Sequence, residues 1–523
     1  MRLRSLRLVV QSSVAFLLVG CGTAAGTCGC LEYRCDVTLN CGEAPPERPE
    51  QPDPEPVCSS DPTEGPAEDR CGVFVSSSLG DDNNPGTAEE PVRTFERAIS
   101  VARSGETRRV YACAEAFSDA VMLPAGIEIW GGLDCSLGWA YVGDARKTVI
   151  APAPDEVPLR VASDGGRSAL FDLQLEAADA TLPSGSSIAM VVLGGAVVDL
   201  RRSKLVAGNG AKGAPGEGGG VQPATGGATG SDGLAACSAD MAPGGEAVST
   251  MCGDVSTVGG RGGDGNFSLG GNGSDGQPEP IDNPAGFGLG GAGESSTDCL
   301  AGQGGISGAD GTHGEGARWP GRIAGDGVWQ GKPGKNGDDG APGQGGGGGG
   351  GSRGGLLYCG ISPGTPKGGA SGGSGGAGGC GGMGGKGGGF GGASIGLLSL
   401  SSDVTLTAVS INTGNGGDGG AGGLAQLGGV GGVPCIGGVG VNASHAGCWG
   451  GVGGAGGSGG YGGGGLGGPS IGIAYLVGQV VAGHDVAITT GDPGLGGLGG
   501  NQAVPGSAGE PGVSAASLDF PQL

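Results

Sequence analysis

Residues 371–388 read SGGSGGAGGCGGMGGKGG, and a non-glycine residue occupies every third position. Polyproline-II-type geometry has three residues per turn, so this period places every non-glycine side chain along one edge and leaves two bare glycine faces. Bare faces would let neighbouring segments approach and hydrogen-bond, as in polyglycine II. Gly and Pro at such density more often indicate disorder. Both interpretations stay open, and 133 of the 523 residues are glycine.

A second pattern is a repeat of about twenty residues. The segments 187–210, 394–416 and 470–494 each begin with Ser-Ile and end with Gly followed by Asn or Asp. Repeated units of this size stack to bury their apolar faces. Three short β segments per unit would make one coil of a β-helix, with Asn209, Asn415 and Asp492 stacked at one corner as a polar ladder.

The long glycine-rich stretches leave the repeats at this same corner, so we interpret them as insertions on one side of a scaffold. The predicted divisions of the chain are 1–20 (signal peptide), 21–43 (Cys-rich anchor segment), 44–70 (Pro/Glu-rich stalk), 71–207 (β-helix with capping helix), 208–393 (glycine-rich insertion), 394–414 (β-helix coil), 415–469 (glycine-rich insertion) and 470–523 (β-helix coil and glycine-rich end).

The segment 72–135 contains a strand, the loop GDDNNPGT, the helix-like PVRTFERAI and the strand-rich LPAGIEIWGGLD. Thr94 precedes apolar residues spaced by three and four, which predicts a helix with an N-cap. This order resembles the N-terminal region of pectin-lyase-like surface proteins, and in particular glycine-rich predicted lipoproteins of myxobacterial type. The resemblance implies an all-β fold, a right-handed parallel β-helix whose open end the short helix caps. The glycine-rich insertions resemble mycobacterial PGRS regions.

The N-terminus predicts the cellular address. MRLRSLR precedes an apolar run and then Cys21, which is the arrangement of a secretory signal. Leu18-Val19-Gly20-Cys21 resembles the lipobox of bacterial lipoproteins, which implies lipidation of Cys21 and anchoring in a membrane. We expect an outer-membrane lipoprotein on the periplasmic or the cell-surface face.

The sixteen cysteines and the net charge of −24 restrict the environment and the partners. So many cysteines favour disulfides in an oxidising compartment. Cys113 and Cys135 are about one coil apart and are predicted to bond; Cys359 and Cys380, with a similar spacing, are candidates for a second bond. The charge argues against binding to nucleic acid.

The candidate chemistry is sparse. Asp264 and Asp275 lie in partial matches to a calcium-binding nonapeptide, but polar residues stand where an apolar one should, so we predict no metal site. His484-Asp485 partly resembles an element of polygalacturonases, without the rest of their motifs. Asp172, at the head of an alternating series with Gln174 and Glu176, is interpreted as part of a solvated strand face.

We therefore expect a lipid-anchored envelope protein with a structural, adhesive or glycan-binding role, no catalysis and no cofactor. Its expected partners are the membrane and an extracellular or envelope glycan or protein. The alternative is an envelope polysaccharide lyase or glycoside hydrolase, which would need two positioned carboxylates. The ligand, the oligomeric state and the disulfide connectivity are not determined by the sequence.

Overall fold

The structure is a computed structural model that describes residues 58–162 and 166–520. The predicted signal peptide, the lipidation site Cys21, the segment 21–43 and most of the stalk lie outside the described residues. Residues 58–70, which the composition assigns to the stalk, belong to the same compact unit as the rest of the described chain.

The elements before residue 208 are mostly short strands. They are β1 (Val73–Val75), α1 (Phe95–Ser104), β2 (Arg109–Cys113), β3 (Ala116–Phe117), β4 (Val121–Leu123), β5 (Glu128–Asp134), β6 (Ala140–Tyr141), β7 (Thr148–Ile150), β8 (Leu159–Val161), β9 (Gly166–Phe171), β10 (Leu173–Ala177), β11 (Ser187–Val192), β12 (Ala196–Arg201) and β13 (Lys204–Ala207).

The later elements are separated by long glycine-rich segments. They are β14 (Val248–Cys252), β15 (Val255–Gly259), β16 (Arg322–Ile323), β17 (Trp329–Gln330), α2 (Leu356–Cys359), β18 (Ser394–Thr407), β19 (Ser410–Thr413), β20 (Ser470–Ala482), β21 (Ala487–Thr489) and β22 (Ser514–Asp519). Single 3₁₀ turns cover Asp69–Cys71 and Cys135–Leu137.

Two mostly parallel sheets form the scaffold. The larger has twelve strands along the order β1-β2-β5-β9-β12-β18-β11-β8-β4, with β20 and β22 following β18 and with β6 antiparallel to β5. The smaller has six parallel strands in the order β21-β19-β13-β10-β7-β3. The hairpins β14–β15 and β16–β17 lie apart from both.

The predicted all-β, right-handed parallel β-helix is wrong. That fold would place β11 and β12 on separate faces, but β18 is one continuous strand that pairs with both of them. The strands of the larger sheet therefore merge into one curled, half-barrel-like sheet, and the fold as a whole has few helices. In its parallel pairing, this sheet resembles the parallel sheets of α/β folds more than a β-helix.

The curl has a local cause that the repeat could not reveal. The Ser-Ile repeats do pair in register, Ser187 with Ser394 and Ser394 with Ser470. However, β18 bends at Ser401, whose φ of 50° lies in the left-handed region, instead of ending in a turn. A residue in this conformation redirects a strand without a glycine or proline to mark the change.

The main core lies between the two sheets and consists of aliphatic side chains such as Leu159, Val198, Leu406 and Ile411, each at most 1% exposed. The helix α1 begins after Thr94, whose side chain accepts a hydrogen bond from the N–H of Arg97 (3.2 Å). It buries Phe95, Ala98, Ile99 and Ala102 at the β1 end of the core. Within the described residues, no helix combines the length and apolar character that crossing a bilayer requires.

Between the scaffold strands, the glycine-rich segments run back and forth as extended chains that are largely neither helix nor strand. They hydrogen-bond to one another at intervals of three residues: Gly337, Gly340 and Gly343 donate to Gly385, Gly382 and Gly379, respectively. This array, formed mainly by 210–236, 260–317, 332–352, 368–392, 415–440, 447–468 and 491–512, is called the glycine lattice below.

Candidate functional site

The segment 371–391 lies inside the glycine lattice, and its successive backbone N–H groups hydrogen-bond to three different neighbouring segments in turn. The N–H groups of Ser371, Gly372 and Gly373 donate to the carbonyls of Leu234, Gly263 and Cys448, and those of Ser374, Gly375 and Gly376 donate to Ser231, Gly260 and Gly451. A backbone that turns by one third per residue produces this pattern. Hydrogen bonds between segments therefore replace side-chain packing as the organising contact.

Glycine is required here because the neighbouring backbones are too close for a Cβ atom. A Cβ on Gly376 would lie 2.0 Å from the carbonyl oxygen of Gly432, and one on Gly347 would lie 2.0 Å from that of Leu289. Real Cβ atoms essentially never approach a heavy atom so closely. The seven consecutive glycines 345–351 are all buried, so this run lies where the lattice is enclosed on every side.

The non-glycine edge of 371–388 is divided into a buried and an exposed part. Ser371 and Ser374 are fully buried, and their hydroxyl oxygens accept hydrogen bonds from the N–H groups of Leu234 and Ser231, both at 2.7 Å. Beyond Cys380 the same edge reaches the surface, and Met383 is 54% exposed. One period thus provides buried hydroxyl contacts at one end and surface side chains at the other.

In some places a side chain, instead of a backbone carbonyl, accepts the hydrogen bond from a backbone N–H of the lattice. Asp339 accepts from the N–H of Gly384 (2.7 Å), and the ring of His313 accepts from that of Tyr461 (3.1 Å). Each such residue gives a partner to a backbone N–H that makes no hydrogen bond to a neighbouring carbonyl.

The two calcium candidates perform the same role. Asp275 accepts from the N–H of Gly290 (2.6 Å), and Asp264 accepts from the N–H of Gly244 (2.9 Å) and from the guanidinium of Arg261 (2.8 Å). Although burial opposes it, these bonds hold the pKa of Asp264 below its usual value. Both carboxylates are thus engaged within the protein.

Among the described residues, the only group of metal-ligating side chains close enough to share an ion is Cys113, Glu115 and Cys135. Cys113 and Cys135 are bonded to each other (S–S 1.99 Å), so neither offers a thiolate.

The prediction of disulfides is confirmed, with five bonds in the described residues. Two of them, Cys58–Cys71 and Cys113–Cys135, lie in the N-terminal part of the scaffold. Three cross the glycine lattice: Cys237–Cys359, Cys252–Cys380 and Cys299–Cys448. A bond between Cys359 and Cys380 is therefore wrong, because each pairs with a cysteine more than 120 residues away.

The polar-ladder residues lie on neighbouring chains where the lattice leaves the sheet. Asn209 accepts from the N–H of Asn415 (2.8 Å), and Asn415 accepts from that of Asp492 (2.9 Å). A further member, Asp179, accepts from the N–H of Asn209 (2.7 Å). It stands two residues after β10 with no Gly-Asn or Gly-Asp signature, so the repeat did not reveal it.

Asp172 does not lie on a solvated strand face. It stands at the corner between β9 and β10 with a φ of 54°, and its side chain is fully buried. It pairs with Lys147 (3.0 Å) and Arg202 (2.9 Å) and accepts a hydrogen bond from the hydroxyl of Tyr141 (3.2 Å). Burial and then the charge of Asp172 raise the pKa of Tyr141.

The network extends to the N-terminal segment through Arg202, which also pairs with Asp61 (3.0 Å). Although burial alone would lower it, the two carboxylates hold the pKa of Arg202 above its usual value. Removing one member of this set would leave another charge uncompensated at a largely buried corner, so single substitutions there should destabilise the fold.

His484 and Asp485 lie at an exposed turn, with their side chains 81% and 80% exposed and the ring nitrogen 3.1 Å from the carboxylate. Asp485 lines an open cleft of about 420 Å³ together with Lys147, Gln174 and Lys204. So exposed a pair lacks the desolvation that tunes the pKa values of acid–base catalysts.

The outer faces of the glycine lattice differ in character. One is polar: the hydroxyl of Thr312 bonds to the carboxylate of Asp338, Lys335 pairs with Glu315 (2.6 Å), and the ring centroids of His313 and Tyr461 are 5.3 Å apart. An aromatic ring among ammonium, hydroxyl and carboxylate groups is suited to contact with a polar, hydroxyl-rich molecule.

Comparison of the chain with models of protein families and with curated proteins found no match.

Proposed function

We propose that this chain is a lipid-anchored protein of the bacterial outer membrane that serves a structural, adhesive or glycan-binding role without catalysis. The observation that carries the proposal is the glycine lattice, in which buried backbones hold long, regular outer faces on a sheet scaffold. Such faces present side chains about 9 Å apart, three residues at about 3.1 Å each. A rigid, repetitive surface suits contact with a polymer or with another surface.

The polar face is the proposed contact surface for an envelope glycan or protein. The ring of Tyr461 packs beside the ring of His313. The backbone N–H of Tyr461 also donates a hydrogen bond to the His313 ring, so both side chains are held in place. Pre-ordered side chains lose little entropy on binding.

A paired variant tests the binding role. Tyr461→Ala should weaken binding at least tenfold on an array of envelope polysaccharides and in capture of envelope proteins, whereas Val452→Ala should bind like the unmodified chain. Both residues belong to the same period-three segment, and Val452 is 51% exposed. An unmodified chain that captures neither a glycan nor an envelope protein would refute the adhesive and glycan-binding roles.

Two further measurements test the anchor and the absence of catalysis. Cells producing the unmodified chain should incorporate labelled palmitate into it, and Cys21→Ala should abolish the label. Incubation with uronic-acid polymers should release no products; turnover that His484→Ala abolishes would instead establish the hydrolase or lyase alternative.

A further inference from the structure

A stripe of apolar side chains runs along one outer segment of the glycine lattice. Leucine, valine or isoleucine occupies every third position, and each is exposed: Leu424 (63%), Leu427 (62%), Val430 (72%), Val433 (61%), Ile436 (44%) and Val439 (61%). These six residues are called the apolar stripe. Monomeric proteins rarely leave so continuous an apolar surface open to water.

The backbone of the segment shows why the six side chains share one edge. Their carbonyl oxygens all accept hydrogen bonds from a single neighbouring segment, from the N–H groups of Gly219, Ala224, Gly227, Gly230, Gly233 and Ala236. The N–H groups of Gly429, Gly432 and Gly438 donate to the buried segment 371–380, so the six side chains project outward about 9 Å apart along about 47 Å. The stripe is therefore a straight row of knobs separated by mostly small residues.

We infer that the apolar stripe is the interface at which two copies of this chain associate. A two-fold interface requires a patch that complements itself. Two antiparallel rows with the same 9 Å spacing meet this requirement, because the knobs of one row fit the gaps of the other.

Charge and area favour a second copy over other occupants. No Asp, Glu, Lys or Arg occurs between Gly419 and Ser444, in a chain of net charge −24. On the neighbouring segment, the carboxylate of Asp232 accepts a hydrogen bond from the N–H of Ile436 (3.2 Å). Two copies therefore repel less along this segment than along the charged faces, while the lack of basic residues disfavours an anionic membrane surface. Six large apolar side chains that are 44–72% exposed present on the order of several hundred Å², toward the roughly 800 Å² per partner of a standard interface.

Sedimentation equilibrium of the full-length Cys21→Ser chain tests the inference. We expect a monomer–dimer equilibrium that 0.5 M salt strengthens, because salt screens the repulsion between two acidic copies. Introducing Val430→Asp and Val433→Asp together should weaken the dimer at least a hundredfold.

The matched control is Val452→Asp, an exposed period-three position on a different outer segment, which should dimerise like the parent. Hydrogen exchange of the double variant should match the parent in the lattice interior, which separates loss of association from loss of folding. A parent that is monomeric at all concentrations, or stripe variants that dimerise as tightly as the control, would overturn the inference. So would a monomeric parent that binds uncharged phosphatidylcholine vesicles through the stripe.

Discussion

The sheet scaffold and the glycine lattice are both well packed, but opposite features of their residues hold them together. In the sheet, side chains such as Leu159 and Leu406 fill the space between two layers, and removing them from water stabilises the fold. In the lattice interior there are almost no side chains, and the backbones approach until their hydrogen bonds connect each segment to several others. The difference shows that close packing is available to a chain with little apolar core, provided that glycine recurs at the right period.

This comparison also explains where the disulfides lie. Ordering glycine costs more conformational entropy than ordering any other residue, and the lattice has little apolar burial to offset that cost. Three of the five described bonds cross the lattice and close loops of 122, 128 and 149 residues. Cross-links of this kind lower the entropy of the unfolded chain.

The largest expected effect comes from removing one of these cross-links. Replacing Cys252 and Cys380 together by Ser should lower the free energy of unfolding by about 5 kcal/mol, because the bond closes a loop of 128 residues. Hydrogen exchange should rise across residues 373–389 while β11 and β18 stay protected.

The matched change in the scaffold is the pair Cys113→Ser and Cys135→Ser, whose bond spans 22 residues. It should cost about 3 kcal/mol and leave the lattice amides protected. Equal loss of protection in both regions with either pair would show that sheet and lattice do not differ in this respect.

In the glycine lattice, adding atoms should be the destabilising change, whereas in an apolar core removing atoms usually is. Gly376→Ala adds a single methyl group against the carbonyl of Gly432 and should cost about 3 kcal/mol in a chemical-denaturation experiment. In the sheet core, removing atoms should be the costly change, and Leu406→Ala should lose a similar amount.

The control for the glycine substitution is Met383→Ala, in the same segment but at an exposed position, which should change stability by less than about 0.5 kcal/mol. If Gly376→Ala were as harmless as this control, the close approach of the lattice backbones would be refuted.

The smallest expected effect depends on pH. The pKa of Asp264 is lower in the folded chain than its usual value, so its contribution to stability is present above the unfolded-state pKa of about 3.9 and is lost as the pH falls through the folded value. Asp264→Asn should therefore cost about 1 kcal/mol at pH 7 and much less at pH 3, as measured by denaturant midpoints. A cost that stays constant between these pH values would contradict the proposed contacts with Gly244 and Arg261.

Several features were predictable because they depend on local sequence. Thr94 followed by apolar residues at helical spacing predicted α1, and the shared Ser-Ile start aligned β11, β18 and β20 in register. Cys113 and Cys135 were predicted to bond because one stacked unit separates them. The interpretation of Asp172 as part of a solvated strand face was wrong, because a strand pattern does not show where a residue turns inward with a positive φ.

Three features can be read from the order of residues alone: the period of three, the positions where only glycine or a small residue occurs, and the points at which the chain leaves and rejoins the sheet. Three features follow from tertiary contacts alone: β11 and β12 join one curled sheet through β18, Ser371 is buried while Met383 is exposed, and Cys380 bonds to Cys252. The physical reason is that a three-residue period sets the direction of each N–H and side chain along its own segment. Which neighbouring segment contacts those N–H groups and side chains depends on how parts of the chain more than a hundred residues apart fold back beside one another.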